Sequence, residues 1–135
     1  MRLFSAFMDL VRQTRGIDAE ARSARLLLAN LSPAQRQQFT KHKHFDVVGG
    51  QTGTSYRIRR GPSVNVDELD AAGNAVAGLC FYPKGYLRTG DVMLAQKFAL
   101  ELDEAEVLAI AHRYSNGSRV RLELPSRCQS SIRTR

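Results

Sequence analysis

Hydrophobic and polar positions change period twice along the chain, from helical to alternating near residue 44 and back to helical after residue 85. Leu3, Phe4, Phe7, Met8, Leu10 and Val11 recur at helical spacing, which predicts an amphipathic helix over residues 2–14 ending near Gly16. Residues 18–30 read as a second helix, with Leu26, Leu27 and Leu28 as its apolar run. Ser32-Pro33-Ala34-Gln35 marks a third start. Ser32 caps an exposed N–H, Pro33 suits the first helical position, and Gln35 closes the capping box. That helix is expected to end around Lys43 with Phe39 turned inward.

His44 to Val48 begins the alternating region, and Gly49-Gly50-Gln51-Thr52-Gly53 breaks it. Ser55 to Arg60 puts Tyr56 and Ile58 on one face and Arg57 and Arg59 on the other. Val64-Asn65-Val66 with Leu69 gives a short third strand, and Asp70-Ala71-Ala72-Gly73-Asn74 a turn. Val76 to Tyr82 is the most apolar strand and is expected inside the sheet. Short turns between all four strands require antiparallel pairing, since parallel pairs need long crossovers.

Helical spacing returns with Val92, Met93, Leu94, Phe98 and Leu102, and Asp91 is placed to cap that helix. Asp103-Glu104-Ala105-Glu106 reads as a new capping box, opening a helix that Asn116-Gly117 ends. Val120, Leu122 and Leu124 alternate with charged residues as a short strand. The fold class is α+β: N-terminal helices, a four-stranded antiparallel meander sheet, and a C-terminal helical segment packed on one face. Residues 1–30 are expected as an N-terminal helical extension, 31–114 as one α+β domain, and 115–135 as a basic tail.

Composition limits the classes open to this pattern. A chain of 135 residues is long enough to bury a core, and its 43% hydrophobic content argues against general disorder. No stretch reaches the roughly 18 apolar residues of a spanning helix. Arg2, Asp9 and Arg12 interrupt any secretory apolar run at the N-terminus. Residues 1–15 share an Arg-containing amphipathic character with transit peptides, but an ordinary surface helix is preferred. Cys80 and Cys128 make no metal spacing, and a reduced cytoplasmic setting is expected.

The net charge of +7 sits in the flanks. Residues 1–43 hold eight Lys/Arg against three Asp/Glu, residues 44–114 seven against nine, and residues 115–135 five against one. Clustered cations favour polyanionic partners, although basic flanks also serve solubility.

Candidate chemistry is sparse. His44 and Asp46 share a strand face with His42 nearby, but zinc needs three or four such ligands and only the distant Cys80 could add one. Cys80 with His44 would make a nucleophile–base pair, yet Leu79 and Phe81 place that thiol in an apolar strand. Asp70 is read as a turn residue, and Asp67 and Glu68 as solvated edge charges. The glycine-rich run at 49–53 lacks the Lys-Ser/Thr ending of a phosphate loop and reads as a hairpin loop. No catalytic, metal or cofactor site is expected.

Arg57 and Arg59 project from one strand face about 7 Å apart, near the phosphate repeat of a nucleic-acid strand. Arg60, Arg119 and Arg121 extend the set of expected polyanion contacts. Such sheets usually add exposed aromatics for stacking; Tyr56 lies on the other face, which leaves Tyr82 and Tyr86. The expected function is therefore a non-enzymatic binding module, with nucleic acid as first partner. The alternative is an accessory factor whose helix at 2–14 docks on a protein or pairs with a second copy.

Leu31-Ser32-Pro33-Ala34-Gln35, Tyr56-Arg57-Ile58, Leu79-Cys80-Phe81-Tyr82-Pro83 and Gly90-Asp91-Val92-Met93-Leu94-Ala95-Gln96-Lys97 resemble a family of small uncharacterised bacterial proteins, some phage- or plasmid-borne. The resemblance covers about Leu31 to Tyr114. It implies a bacterial, intracellular setting and argues against a transit peptide. It brings no activity, cofactor or functional residue with it.

Overall fold

The computed structural model describes residues 2–61, 64–85 and 87–115. Its elements run α1 (Arg2–Ala29), α2 (Pro33–His42), β1 (His44–Val48), β2 (Ser55–Arg59), β3 (Val66–Leu69), β4 (Ala75–Cys80), α3 (Thr89–Leu102), α4 (Glu104–Ile110) and β5 (His112–Ser115). The class is α+β, with a sheet of order β1-β2-β3-β4-β5 and every neighbouring pair antiparallel. The meander has five described strands, one more than the four expected.

The extra strand has a physical role. In a four-stranded meander the apolar β4 would be an open edge. β5 pairs along it instead, with Cys80 opposite His112 and Gly78 opposite Tyr114. The helix expected to continue to Asn116 therefore stops at Ile110. The strand anticipated at Val120–Leu124 and the tail beyond Ser115 lie outside the described residues.

Alternation sets the inner face. Phe45, Val47, Tyr56, Ile58, Val66 and Leu79 are almost wholly buried beneath Met93, Leu94 and Leu100 of α3 and Val107 of α4. α1 packs on α3 and adds Leu27, with Leu31 just beyond its end. Residues 23–29, assigned by sequence to an extension, are thus part of the domain.

α1 is one helix where two were expected. Gly16 does not break it, because a glycine in an exposed helix costs only about 1 kcal/mol. α2 begins as read: Ser32 Oγ accepts from Gln35 N at 3.2 Å, and Gln35 Oε1 accepts from Ser32 N at 3.0 Å. It lies beside β1, where Gln35 Nε2 donates to the Asp46 carbonyl at 2.9 Å and Gln38 Oε1 accepts from Asp46 N at 3.0 Å. Two glutamine side chains thus satisfy backbone groups of the open sheet edge.

The caps of the last two helices differ from expectation. Asp91 lies in the first turn of α3 rather than at its N-cap, which is Arg88. Its N–H donates to Ser23 Oγ of α1 at 2.9 Å, so the cap comes from another helix. Asp103 at the start of α4 makes no side-chain cap. The Ala105 N–H donates instead to Gln51 Oε1 of the β1–β2 loop at 2.6 Å.

Candidate functional site

The outer sheet face carries a charge row set by register. Asp46 of β1 lies opposite Arg57 of β2, and Arg57 opposite Asp67 of β3. Arg57 donates from Nε to Asp46 Oδ1 at 2.8 Å and from Nη2 to Oδ2 at 3.0 Å, a two-pronged pair. Arg59 Nε lies 3.0 Å from Asp67 Oδ2 as an ion pair, while its Nη2 donates to the Val64 carbonyl at 3.2 Å. Asp67 is only 3% exposed, so it is not the solvated edge charge the sequence suggested. On the opposite face, where register sets Glu68 against Tyr56 and Arg113 against Leu79, Glu68 pairs with Arg113 of β5, which the sequence could not bring near it without β5. The sheet thus presents a charge-balanced row rather than free cations.

Arg60 is exposed, and its N–H donates to the Lys43 carbonyl at 3.3 Å, which puts Lys43 and Arg60 at one corner beside Lys41. Among the described residues, none of these three cations is paired with a carboxylate. Arg119, Arg121 and Tyr86 lie outside the described residues. Tyr82 is half-buried, with burial pushing its phenol up to about 12.

His42 and His44 stack at 5.2 Å between ring centroids. Burial first, then the Arg57 guanidinium, lowers the His44 pKa, against the opposing pull of Asp46. Among the described residues no group of His, Cys, Asp or Glu is arranged to hold a metal ion. Cys80 is fully buried in β4 and is disulfide-bonded rather than a free thiol, against the reduced setting expected, and His44 lies three strands away, about 14 Å at ordinary strand spacing. That separation rules out the nucleophile–base pair. Asp70 serves its turn, accepting from Ala72 N and Asn74 N at 2.9 Å each.

Among the described residues, Glu104, read from sequence only as a capping residue, gathers four donors on one buried charge. Its buried carboxylate accepts from Gln51 N at 3.0 Å, Thr52 N at 2.8 Å and Tyr56 Oη at 2.6 Å, with Thr52 Oγ1 as a fourth donor. Burial works against its charge, but the hydrogen bonds from Thr52, Tyr56 and the loop N–H groups outweigh it and hold the carboxyl at about 2. A β-carbon at Gly49 would collide with that carboxylate. The glycine-rich loop therefore does cradle an anion, and the anion is the chain's own. The signal for this was a loop of free N–H groups without a phosphate-loop lysine.

α1 supplies the other departure from a closed fold. Residues 5–10 are all exposed, including Phe7 at 59% and Leu10 at 58%. At about 100° per residue, Phe7 lies roughly 160° round the helix from the buried Leu27. Leu10 and Met8 fall about 100° from Leu27 on either side. The apolar arc of the first half thus faces away from the body that the second half packs against. No described helix is long and apolar enough to cross a membrane.

Comparison of the chain with protein-family models, curated proteins and solved structures finds no match.

Proposed function

We propose that this chain is a non-enzymatic interaction module whose docking element is the first half of α1. The observation that carries this is the exposed apolar group Phe7, Met8 and Leu10, turned away from the chain's own core. Contiguous apolar surface rimmed by polar residues is what interaction sites present. A helix with such an arc suits a protein groove or a second helix. The test is a tagged full chain with Phe7→Ser and Leu10→Ser, compared with the parent for self-association and for proteins retained from native cells. An unchanged melting curve with loss of association supports the reading; association that survives both changes rejects it.

A second reading is favoured by one observation, the corner of Lys41, Lys43 and Arg60, which no carboxylate among the described residues pairs. Polyanion binding, nucleic acid foremost, would centre there rather than on Arg57 and Arg59. Labelled oligonucleotides should then bind with a salt slope that drops by about one for each of these cations neutralised. Affinity indifferent to salt rejects it.

A further inference from the structure

Phe7, Leu10, Ile17, Ala21, Ala24 and Leu28 fall on one line along α1, at intervals of three or four residues once Thr14 is counted between Leu10 and Ile17. That alternation is the seam of a coiled coil. Phe7, Leu10 and Ile17 are 59%, 58% and 65% exposed, Ala21 and Ala24 are exposed, and Leu28 is half-buried. The seam lies about 100° round from the Leu27 face, so the body leaves it open from Phe7 to Ala24 and reaches it at Leu28, which packs against the core. In this register Glu20 and Arg25 take the flanking positions that meet across two parallel helices five residues apart. Arg25 is exposed, and Glu20 makes only a loose 3.8 Å contact with Arg88.

We propose that the occupant of this seam is a second copy of the chain, paired in parallel, with Glu20 of each copy facing Arg25 of the other. This rests on the interaction reading above and names its partner. A lipid surface fits less well. It favours bulky apolar residues along the whole face with basic flanks, whereas this seam narrows to Ala21 and Ala24 and its flanks mix Asp18 and Glu20 with Arg25. Small seam residues instead let two backbones approach. Three heptads that narrow to alanine make a weak dimer, governed by concentration.

The test is sedimentation equilibrium of the full chain over a wide concentration range. Leu10→Glu with Ile17→Glu should raise the dimer dissociation constant more than about tenfold, with unchanged circular dichroism because both side chains are exposed. Glu20→Arg alone and Arg25→Glu alone should each weaken self-association, and mixing the two variants should restore it as a heterodimer. A chain monomeric throughout, or a dimer indifferent to Leu10 and Ile17, overturns the proposal. Variants that fail to complement overturn the parallel orientation. A monomer that binds anionic vesicles, or retains another protein only while Phe7 and Leu10 are intact, overturns the second copy but leaves the docking role of α1 standing. Loss of every one of these sinks both.

Discussion

Tyr56 of β2 donates its phenol hydrogen to the Glu104 carboxylate of α4 at 2.6 Å, between two fully buried side chains 48 positions apart. The contact ties the sheet, the β1–β2 loop and the second C-terminal helix to one charge. Gln51 completes the arrangement in reverse by capping α4 from the loop. The carboxylate and its donors are therefore one structural unit, with no open position for a ligand.

Acid should expose that unit. The Glu104 carboxyl is held at about 2 in the fold against an ordinary 4.5, so its folded value is depressed. Its stabilisation is fully present above pH 4.5 and is lost as pH falls from there towards 2. The span corresponds to about 3 kcal/mol. Glu104→Gln should remove most of this pH dependence and destabilise at neutral pH by roughly 2–4 kcal/mol, since four donors lose a charged acceptor. Urea melts of both proteins between pH 2 and 7 check it; parallel curves would refute the assignment.

Gly90→Ala should loosen the α1–α3 contact. A β-carbon there would sit 2.6 Å from the Ser23 carbonyl and hydroxyl oxygens, so the helices must separate. The expected loss is about 1–3 kcal/mol, as for other overpacked sites. Ser23→Ala, which removes only the acceptor for Asp91 N–H, should cost about 1 kcal/mol. Thermal melts should rank the parent above Ser23→Ala, and Ser23→Ala above Gly90→Ala.

What the residues disclosed follows from how local each signal is. β1 and β2 alternate strictly, and Ser32 with Gln35 completes its box within four residues, so these were legible. β5 was not, because His112-Arg113-Tyr114-Ser115 has no apolar alternation and exists as a strand only beside β4. The partners of Arg57 and Arg59 depend on strand register, which fixes Asp46 and Asp67 opposite or diagonal to them. Glu104 looked like a cap because its sequence neighbours fit one, while its donors come from a loop some 50 residues earlier. The first half of α1 was legible as amphipathic, but only its continuity with the packed second half shows which way the apolar arc points.

A mutant cycle on Asp46 and Arg57 should give a coupling of about 1 kcal/mol that shrinks with added salt, as expected for a partly exposed, two-pronged pair. Arg57→Met should leave oligonucleotide affinity unchanged, because that guanidinium is already neutralised. Asp46→Asn should raise the affinity, because it frees the charge. A drop with Arg57→Met in titrations at fixed salt would show that the sheet arginines meet the ligand after all.

The buried amides of Asn65 and Gln96 exchange two hydrogen bonds, Asn65 Nδ2 to Gln96 Oε1 at 2.7 Å and Gln96 Nε2 to Asn65 Oδ1 at 2.9 Å. Gln96 Nε2 also serves the Phe81 carbonyl at 2.9 Å, and Asn65 Nδ2 the Arg59 carbonyl at 3.1 Å. The pair thus fastens α3 to the ends of β2 and β4. Gln96→Leu keeps the volume but strands the Phe81 carbonyl and one Asn65 oxygen, for a loss of about 2 kcal/mol. Adding Asn65→Leu should cost less than Asn65→Leu does in the parent, because part of what it breaks is already gone. Equilibrium unfolding of the two single variants and the double variant measures this. Strict additivity would mean that the two amides hold their places independently.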